Sequence, residues 1–235
     1  LPFGVASYRK KMTIYHGSVD EIARPVFGRG KPYNDYGLGF YCTESLAMAK
    51  EWACAAGGDG YANRYDLRTD GLTFLYLNDG RYHILNWLAV LLSNRTFDVS
   101  EGSIASRAKQ YILEHFLPDY RKYDVIVGYR ADDSYFSYAS DFVENALSLE
   151  DLGEAMKLGM LGEQVVLMSA GAFDALTFAE AIPVVGGEYY RKYKERDSKA
   201  RADYRELKRL SRAEEGTYVM DILRQKWEND DARLY

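Results

Sequence analysis

Cysteine is nearly missing from this chain. Two thiols, Cys42 and Cys54, in 235 residues cannot make a disulfide framework, and no Cys/His cluster has metal-ligand spacing. They read as reduced thiols of a cytoplasmic protein, with no metal expected. Long apolar runs are missing too. The longest, around residues 85–92, is too short and too interrupted to span a bilayer, so no membrane partner is expected. Residues 1–11 hold no apolar stretch before their basic residues, so no signal peptide is expected, and Met12 reads as a candidate start. An excess of base is also absent. Lys and Arg number 30 against 35 Asp and Glu, a formal net charge of −5, which does not favour a nucleic-acid binder as a whole. Internal repeats and low-complexity tracts are lacking.

What is present is a globular composition, 47% hydrophobic and 28% charged, long enough for one large domain or a domain with an appendage. Tyrosine stands out, with 21 against 10 Phe and 3 Trp. Its flat apolar face and polar tip suit core rims and half-buried clefts.

Residues 13–16 read as a first strand, ended by Gly17-Ser18. Residues 24–39 are a loop punctuated by Pro25, Gly28, Gly30, Pro32, Gly37 and Gly39. Residues 39–42 form a second strand. Thr43 is expected to cap a helix over 44–56, whose apolar stripe uses Leu46, Ala49, Trp52 and Ala53. The alternation of Tyr61, Asn63, Tyr65 and Leu67, then Asp70-Gly71, then 72–77, predicts a hairpin. Helices follow over 82–95 and 103–117, the second stopped by Pro118. Val125-Ile126-Val127 is a buried strand, Ser148 caps a helix, and 164–168 and 181–185 are further strands. From Gly187 the character changes. Residues 189–212 hold 10 Lys/Arg against 4 Asp/Glu without Pro or Gly, which predicts a long solvated helix, with a second over 217–228. Unequal helices interleaved with strands indicate an α+β fold rather than regular βαβ winding. The expected division is a domain over 12–186 and a basic helical tail over 187–235.

Three segments carry candidate chemistry: Ile14-Tyr15-His16-Gly17-Ser18, the stretch from Asn34 to Thr43, and Gly162-Glu163-Gln164-Val165-Val166-Leu167. Each alone has a plain reading. A histidine closing a strand is as readily structural as functional, although His83 and His115 lie in helix-forming stretches and leave His16 distinctive. Gly37-Leu38-Gly39-Phe40-Tyr41-Cys42-Thr43 can be a simple turn into a buried strand. It lacks the third glycine and the leading strand of a dinucleotide fingerprint. Glu163-Gln164 before a strand is usually a solvated turn.

Together, in this order, the three segments resemble the ADP-ribosyltransferase superfamily. The likeness is to its branch with a His, a Tyr and a third Glu or variable residue, which includes diphtheria-toxin-like and poly-ADP-ribose-polymerase-like enzymes. Within it the chain looks most like bacterial proteins catalogued as a domain of unknown function. That resemblance extends through Asp124-Val125-Ile126-Val127-Gly128, Ala131-Asp132-Asp133, Arg196-Asp197 and Asp221-Ile222-Leu223-Arg224, nearly the whole chain.

The resemblance implies a split-sheet core with surrounding helices and NAD bound as co-substrate between two splayed sheets. His16 would bind a ribose hydroxyl. Gly17 would pair its backbone with the nicotinamide carboxamide, glycine permitting close approach. Tyr41 would stack on the nicotinamide ring, with Tyr36 as a second wall. Asn34 and Asp35 would face the nucleotide, and Thr43 would fix the strand that carries Tyr41. The family's late-strand Glu, which stabilises a ribose cation, falls at Gln164, with Glu163 the alternative carboxylate. Gln164 is favoured as the cleft residue because neighbours on a strand face opposite ways.

The implied activity is transfer of ADP-ribose to a protein or nucleic-acid acceptor, as a toxin or defence effector that an inhibitor or antitoxin protein would restrain. The alternatives are an NAD glycohydrolase and a silent NAD- or ADP-ribose-binding module. The tail reads either as a solvated helix packed on the domain or as a docking surface for an acidic partner or nucleic acid. Its interspersed Glu195, Asp197, Asp203 and Glu206 argue against a strong phosphate-binding stripe.

Overall fold

The structure, a computed structural model, describes residues 10–131, 133–158, 162–210 and 216–235. Residues 1–9, Asp132 of the quoted motif, and positions 211 and 212 of the expected long helix lie outside the described residues.

The fold is mixed α+β, built on two sheets. Strands β1 (Lys11–Ser18), β3 (Gly60–Arg68) and β7 (Leu176–Val184) form a three-stranded antiparallel sheet in the order β1-β3-β7. Strands β2 (Phe40–Cys42), β6 (Glu163–Leu167), β5 (Val125–Tyr129) and β4 (Phe74–Tyr76) form a second sheet in the order β2-β6-β5-β4, with β4 and β5 parallel.

Side-chain alternation decides how the sheets are covered. Val125, Val127, Val165 and Leu167 join Ile14, Phe40, Tyr65 and Leu67 in a core between the two sheets. Ile126 and Val166, one step along, face the other way into a larger core. Helices α2 (Ile84–Asn94), α3 (Ile104–His115), α4 (Asp133–Val143) and α5 (Leu149–Ala155) supply that core, with Trp87, Leu88, Ile112 and Phe142 fully buried. The outer face of the three-stranded sheet packs Ala62 and Val184 on Ala49, Ala53 and Cys54, in and just after α1 (Leu46–Ala53).

Three expectations need correction. Helix α1 is capped by Ser45, whose hydroxyl accepts from the Met48 N–H at 3.3 Å, not by Thr43. Thr43 is buried and accepts from the Ser45 N–H at 3.1 Å, so it braces the cap from outside the helix. The hairpin over 61–77 does not form. The Asp70-Gly71 turn exists, but the chain then crosses to the second sheet, where β4 pairs with β5. Helices α4 and α6 (Ala170–Asp174) form in stretches where the sequence pattern predicts no helix.

The basic segment folds as α7 (Gly186–Leu210) and is followed by α8 (Val219–Gln225). Helix α7 lies on the body of the protein. Arg196 pairs with Glu51 of α1 at 2.8 Å, and the Tyr204 hydroxyl donates to Asp141 of α4 at 2.6 Å. Its exposed bases mostly pair one turn along the helix, as Lys199 does with Asp203 and Arg201 with Asp197, which is the pattern of a solvated face. Among the described residues no helix is long and apolar enough to cross a membrane.

Candidate functional site

Beyond the side chains packed between them, the two sheets are joined, among the described residues, by one isolated backbone bridge. Tyr15 and Thr43 exchange both backbone hydrogen bonds, at 2.8 and 2.9 Å. Toward the end of β1 and the start of β2 the strands part, and a cavity of about 770 Å³ opens there. That lies within the range of small-molecule sites, roughly 300–1,000 Å³.

His16 spans the split. Its Nδ1 lies 2.7 Å from the Tyr41 carbonyl oxygen, which can only accept, so Nδ1 carries the proton. Burial lowers the His16 pKa, outweighing the bond to Tyr41 that raises it, so the ring is neutral near pH 7. Nε2 is then an acceptor in the cavity wall, and Phe40 stacks on the ring with centroids 4.5 Å apart. Gly17 follows. Tyr15 turns its N–H and C=O toward Thr43, away from β3. Two residues on in an antiparallel strand, Gly17 turns its own the same way, into the split. The glycine itself is demanded from behind: a Cβ at this position would lie 2.0 Å from the Ala49 carbonyl oxygen and 2.7 Å from the Ala53 nitrogen of α1. Helix packing alone is enough to require its lack of a side chain.

Tyr41 lines the cavity from β2. Its hydroxyl donates to the Gly37 carbonyl at 2.7 Å and accepts from the Tyr36 N–H at 3.0 Å, so the ring clamps the end of the long loop. Burial pushes its pKa far up, and the phenol stays neutral. Gly37 has φ near +80°, a left-handed conformation that suits glycine, and its N–H donates to Asn34 at 2.9 Å. Asn34 lines the cavity; Tyr36 does not. Tyr36 is 1% exposed, its hydroxyl donating to the Tyr129 carbonyl at 2.6 Å, so the expected second ring wall is a core residue instead. Thr43 also lies off the cavity wall.

Gln164 and Asp35 form the polar floor. By register Tyr41 pairs with Val166, and Gln164 lies two residues from Val166 on the same face. Gln164 is buried and lines the cavity, whereas Glu163 is exposed, accepts from the Asn78 amide at 3.0 Å and stays outside. Asp35, 5% exposed, accepts from the Ala131 N–H at 2.9 Å and from Gln164 Nε2 at 3.2 Å, with Arg95 Nη1 at 3.5 Å. Burial raises the Asp35 pKa above the ordinary carboxylate value; the Ala131 N–H, Arg95, Arg130 and Gln164 oppose the rise without cancelling it.

So His16, Gly17, Asn34, Asp35, Tyr41 and Gln164 meet in one concavity, from segments up to 148 residues apart, while Tyr36, Thr43 and Glu163 do not reach it. Sequence reasoning missed the cations. Arg24, Arg29 and Lys31 lie exposed on the loop at the rim, and Arg95 and Arg130 sit half-buried deeper in. Against these five bases the lining holds one carboxylate, Asp35. Arg95 ends a helix and Arg130 follows a buried strand, positions where a base is unremarkable in a sequence. Trp52, on the apolar stripe of α1, packs against the larger core and also forms cavity wall, with the Arg130 guanidinium over its ring at 4.6 Å. Tyr193 of α7, one of the tyrosines set among the tail's bases, completes the wall from the tail.

No curated protein and no solved structure matches the chain. A family model does match, over residues 12–178, a stretch that includes every lining residue except Tyr193. That family is described as "Protein of unknown function (DUF3990)", and with most of its length matched the chain belongs to it.

Proposed function

We propose that the cavity binds NAD and that the protein transfers the ADP-ribose of NAD to a macromolecular acceptor. The observation that carries this reading is the meeting of His16, Tyr41 and Gln164, from three distant segments, in one cavity. The basic lining adds support, because a pyrophosphate needs positive charge that a chain of net charge −5 does not otherwise favour. Gly17, whose backbone edge faces the split, suits a carboxamide, which has both a donor and an acceptor. Neutral His16 offers Nε2 to a ribose hydroxyl.

In the reaction the bond between the nicotinamide nitrogen and ribose C1 breaks. Its electron pair leaves with nicotinamide, and positive charge moves to the ribose. An oxygen or nitrogen of the acceptor then bonds to C1 with its lone pair and loses a proton. Negative charge near the ribose 2′-hydroxyl lowers the barrier, as it does for glycosidases.

Incubation with NAD labelled in its adenosine half, in a cell lysate, tests the proposal. Label should pass to a macromolecule with the wild type and not with His16→Ala or Tyr41→Ala. NAD binding without any labelled macromolecule would reject the transferase. One observation favours a second reading: Gln164 brings no charge of its own, and Asp35 is engaged by Arg95. A silent binding module would bind NAD and release no nicotinamide. A glycohydrolase would release it with water as acceptor.

A further inference from the structure

We infer that Asp35 supplies the negative charge of this site and that Gln164 carries its influence to the ligand, the two acting as one unit. The inference rests on the NAD reading and names where its negative charge resides. An ionised carboxylate only accepts, so the Gln164 amide must present its Nε2 to Asp35 Oδ2, 3.2 Å away. That fixes Oε1 pointing the other way. Gln164 is 5% exposed, it lines the cavity, and Oε1 is buried with no hydrogen-bond partner among the described residues. An unmet buried acceptor is costly, and a ligand hydroxyl in the cavity would meet it.

A carboxylate accepting at one end of an amide draws the N–H bond toward itself and leaves the oxygen at the other end more negative. Gln164 Oε1 thus becomes a stronger acceptor than an isolated glutamine would offer. Asp35 is itself held in place. The Ala131 N–H fixes Oδ2 at 2.9 Å, and the Asn94 side chain donates to its backbone carbonyl at 3.4 Å. The charged and titratable groups facing it are Arg95 from the end of α2, Arg130 after β5, Tyr36 from the loop and Tyr41 from β2. Both tyrosines are neutral, so the carboxylate and the two arginines set the local field. Asp35 is in this sense a positioning residue, and Gln164 is the group that touches the ligand.

Placing at 164 the glutamate that the superfamily resemblance would lead one to expect should not improve this protein. Gln164→Glu puts a second carboxylate about 3 Å from Asp35, and two carboxylates that close cannot both ionise freely. Exchanging the charges with Asp35→Asn plus Gln164→Glu keeps one carboxylate and one amide in contact.

The experiment compares wild type, Asp35→Asn, Gln164→Glu and the double exchange. It uses nicotinamide release from NAD, calorimetry with NAD, and ligand-free thermal unfolding from about pH 5 to about pH 8. Asp35→Asn should cut nicotinamide release about 100-fold. Gln164→Glu should stay below wild type at neutral pH, and the double exchange should recover to within about tenfold of wild type. Asp35→Asn within about threefold of wild type, or Gln164→Glu faster than wild type, overturns the inference.

The unfolding series needs no ligand. Gln164→Glu raises the folded-state pKa of the carboxylate pair, so its midpoint should fall further behind wild type as pH rises, and the double exchange should abolish that trend. A pH-independent deficit overturns the inference even if Asp35→Asn does not fold. Failure of the NAD reading shows separately, as a folded wild type that does not bind NAD or that binds it and releases no nicotinamide.

Discussion

Gly17 lies where β1 runs against the backbone of α1. The structure puts α1 behind it, so close that a methyl group would sit 2.0 Å from the Ala49 carbonyl oxygen. Backbone atoms cannot swing aside as a side-chain tip can. Gly17→Ala should therefore destabilise the fold by about 1–3 kcal/mol through overpacking, read as a lower denaturation midpoint at unchanged slope; an unaltered midpoint would refute the packing account. His16 is special for a reason the sequence does hint at, being outside any helix-forming stretch. Its consequence for pH has a definite sign. Burial lowers the folded-state pKa below the unfolded value of about 6.5, so the unfolded chain binds more protons as the solution is acidified. Stability is then full above about pH 6.5 and is lost as pH falls toward the folded pKa. Buried His83 adds in the same direction. His16→Gln, which can still donate to the Tyr41 carbonyl, should flatten part of the acid loss in thermal midpoint and leave the His83 part. A variant curve parallel to wild type would show that His16 does not titrate in this way.

At the scale of elements, what the sequence disclosed followed locality. Helices α2 and α3 and the Ser148 cap of α5 were legible because apolar spacing and end signals lie within a few residues of one another. The partner of β4 was not. A turn at Asp70-Gly71 after an alternating strand reads as a hairpin, yet β4 is fixed by residues about fifty positions on. Asp124 accepts from the Thr73 N–H and hydroxyl, both at 2.8 Å, and Leu77 donates to Val127 at 2.8 Å. The same holds for the site. Alternation on β6 separated Gln164 from Glu163, a local matter, but nothing near Tyr193 in the chain pointed to a cavity whose other walls lie on β1, β2 and α1. Helix α7 brings it there. The Arg196–Glu51 pair, with side chains 14% and 12% exposed, ties α7 to α1 beside Trp52. The tail therefore contributes one wall of the cavity. Tyr193→Ala should weaken binding of NAD or ADP-ribose several-fold by removing one stacking face, worth about 1 kcal/mol, with the thermal midpoint little changed. Calorimetry giving an unchanged dissociation constant would exclude Tyr193 from the ligand's contacts.

For the whole molecule, net charge and local charge have opposite signs. The chain carries −5, yet the cavity gathers five bases around one carboxylate. Composition averages over the surface and conceals this, because three of the bases come from one loop and the others from the ends of α2 and β5. The fold concentrates them through long-range anchors. Buried Asn63 holds the start of the loop, accepting from the Ile22 N–H at 2.9 Å and donating to Ser18 and the Asp20 carbonyl. Asp35 and Tyr41 hold its end. Between these anchors Arg24, Arg29 and Lys31 remain exposed, and exposed charge is screened by salt. The Debye length shrinks from about 30 Å at 0.01 M to about 8 Å at 0.15 M ionic strength. Attraction of a diphosphate from outside the cavity should weaken accordingly, whereas the half-buried Arg95 and Arg130 act at short range and keep most of their effect. ADP-ribose affinity should therefore fall several-fold over that salt range and then level off, while adenosine, which carries no charge, should show little change. Charge reversal at Arg29 and Lys31 should remove most of the salt-sensitive part and leave the plateau. Were ADP-ribose binding indifferent to salt in the wild type, the basic rim would have no part in holding an anion, and the cavity would have to be assigned to an uncharged ligand.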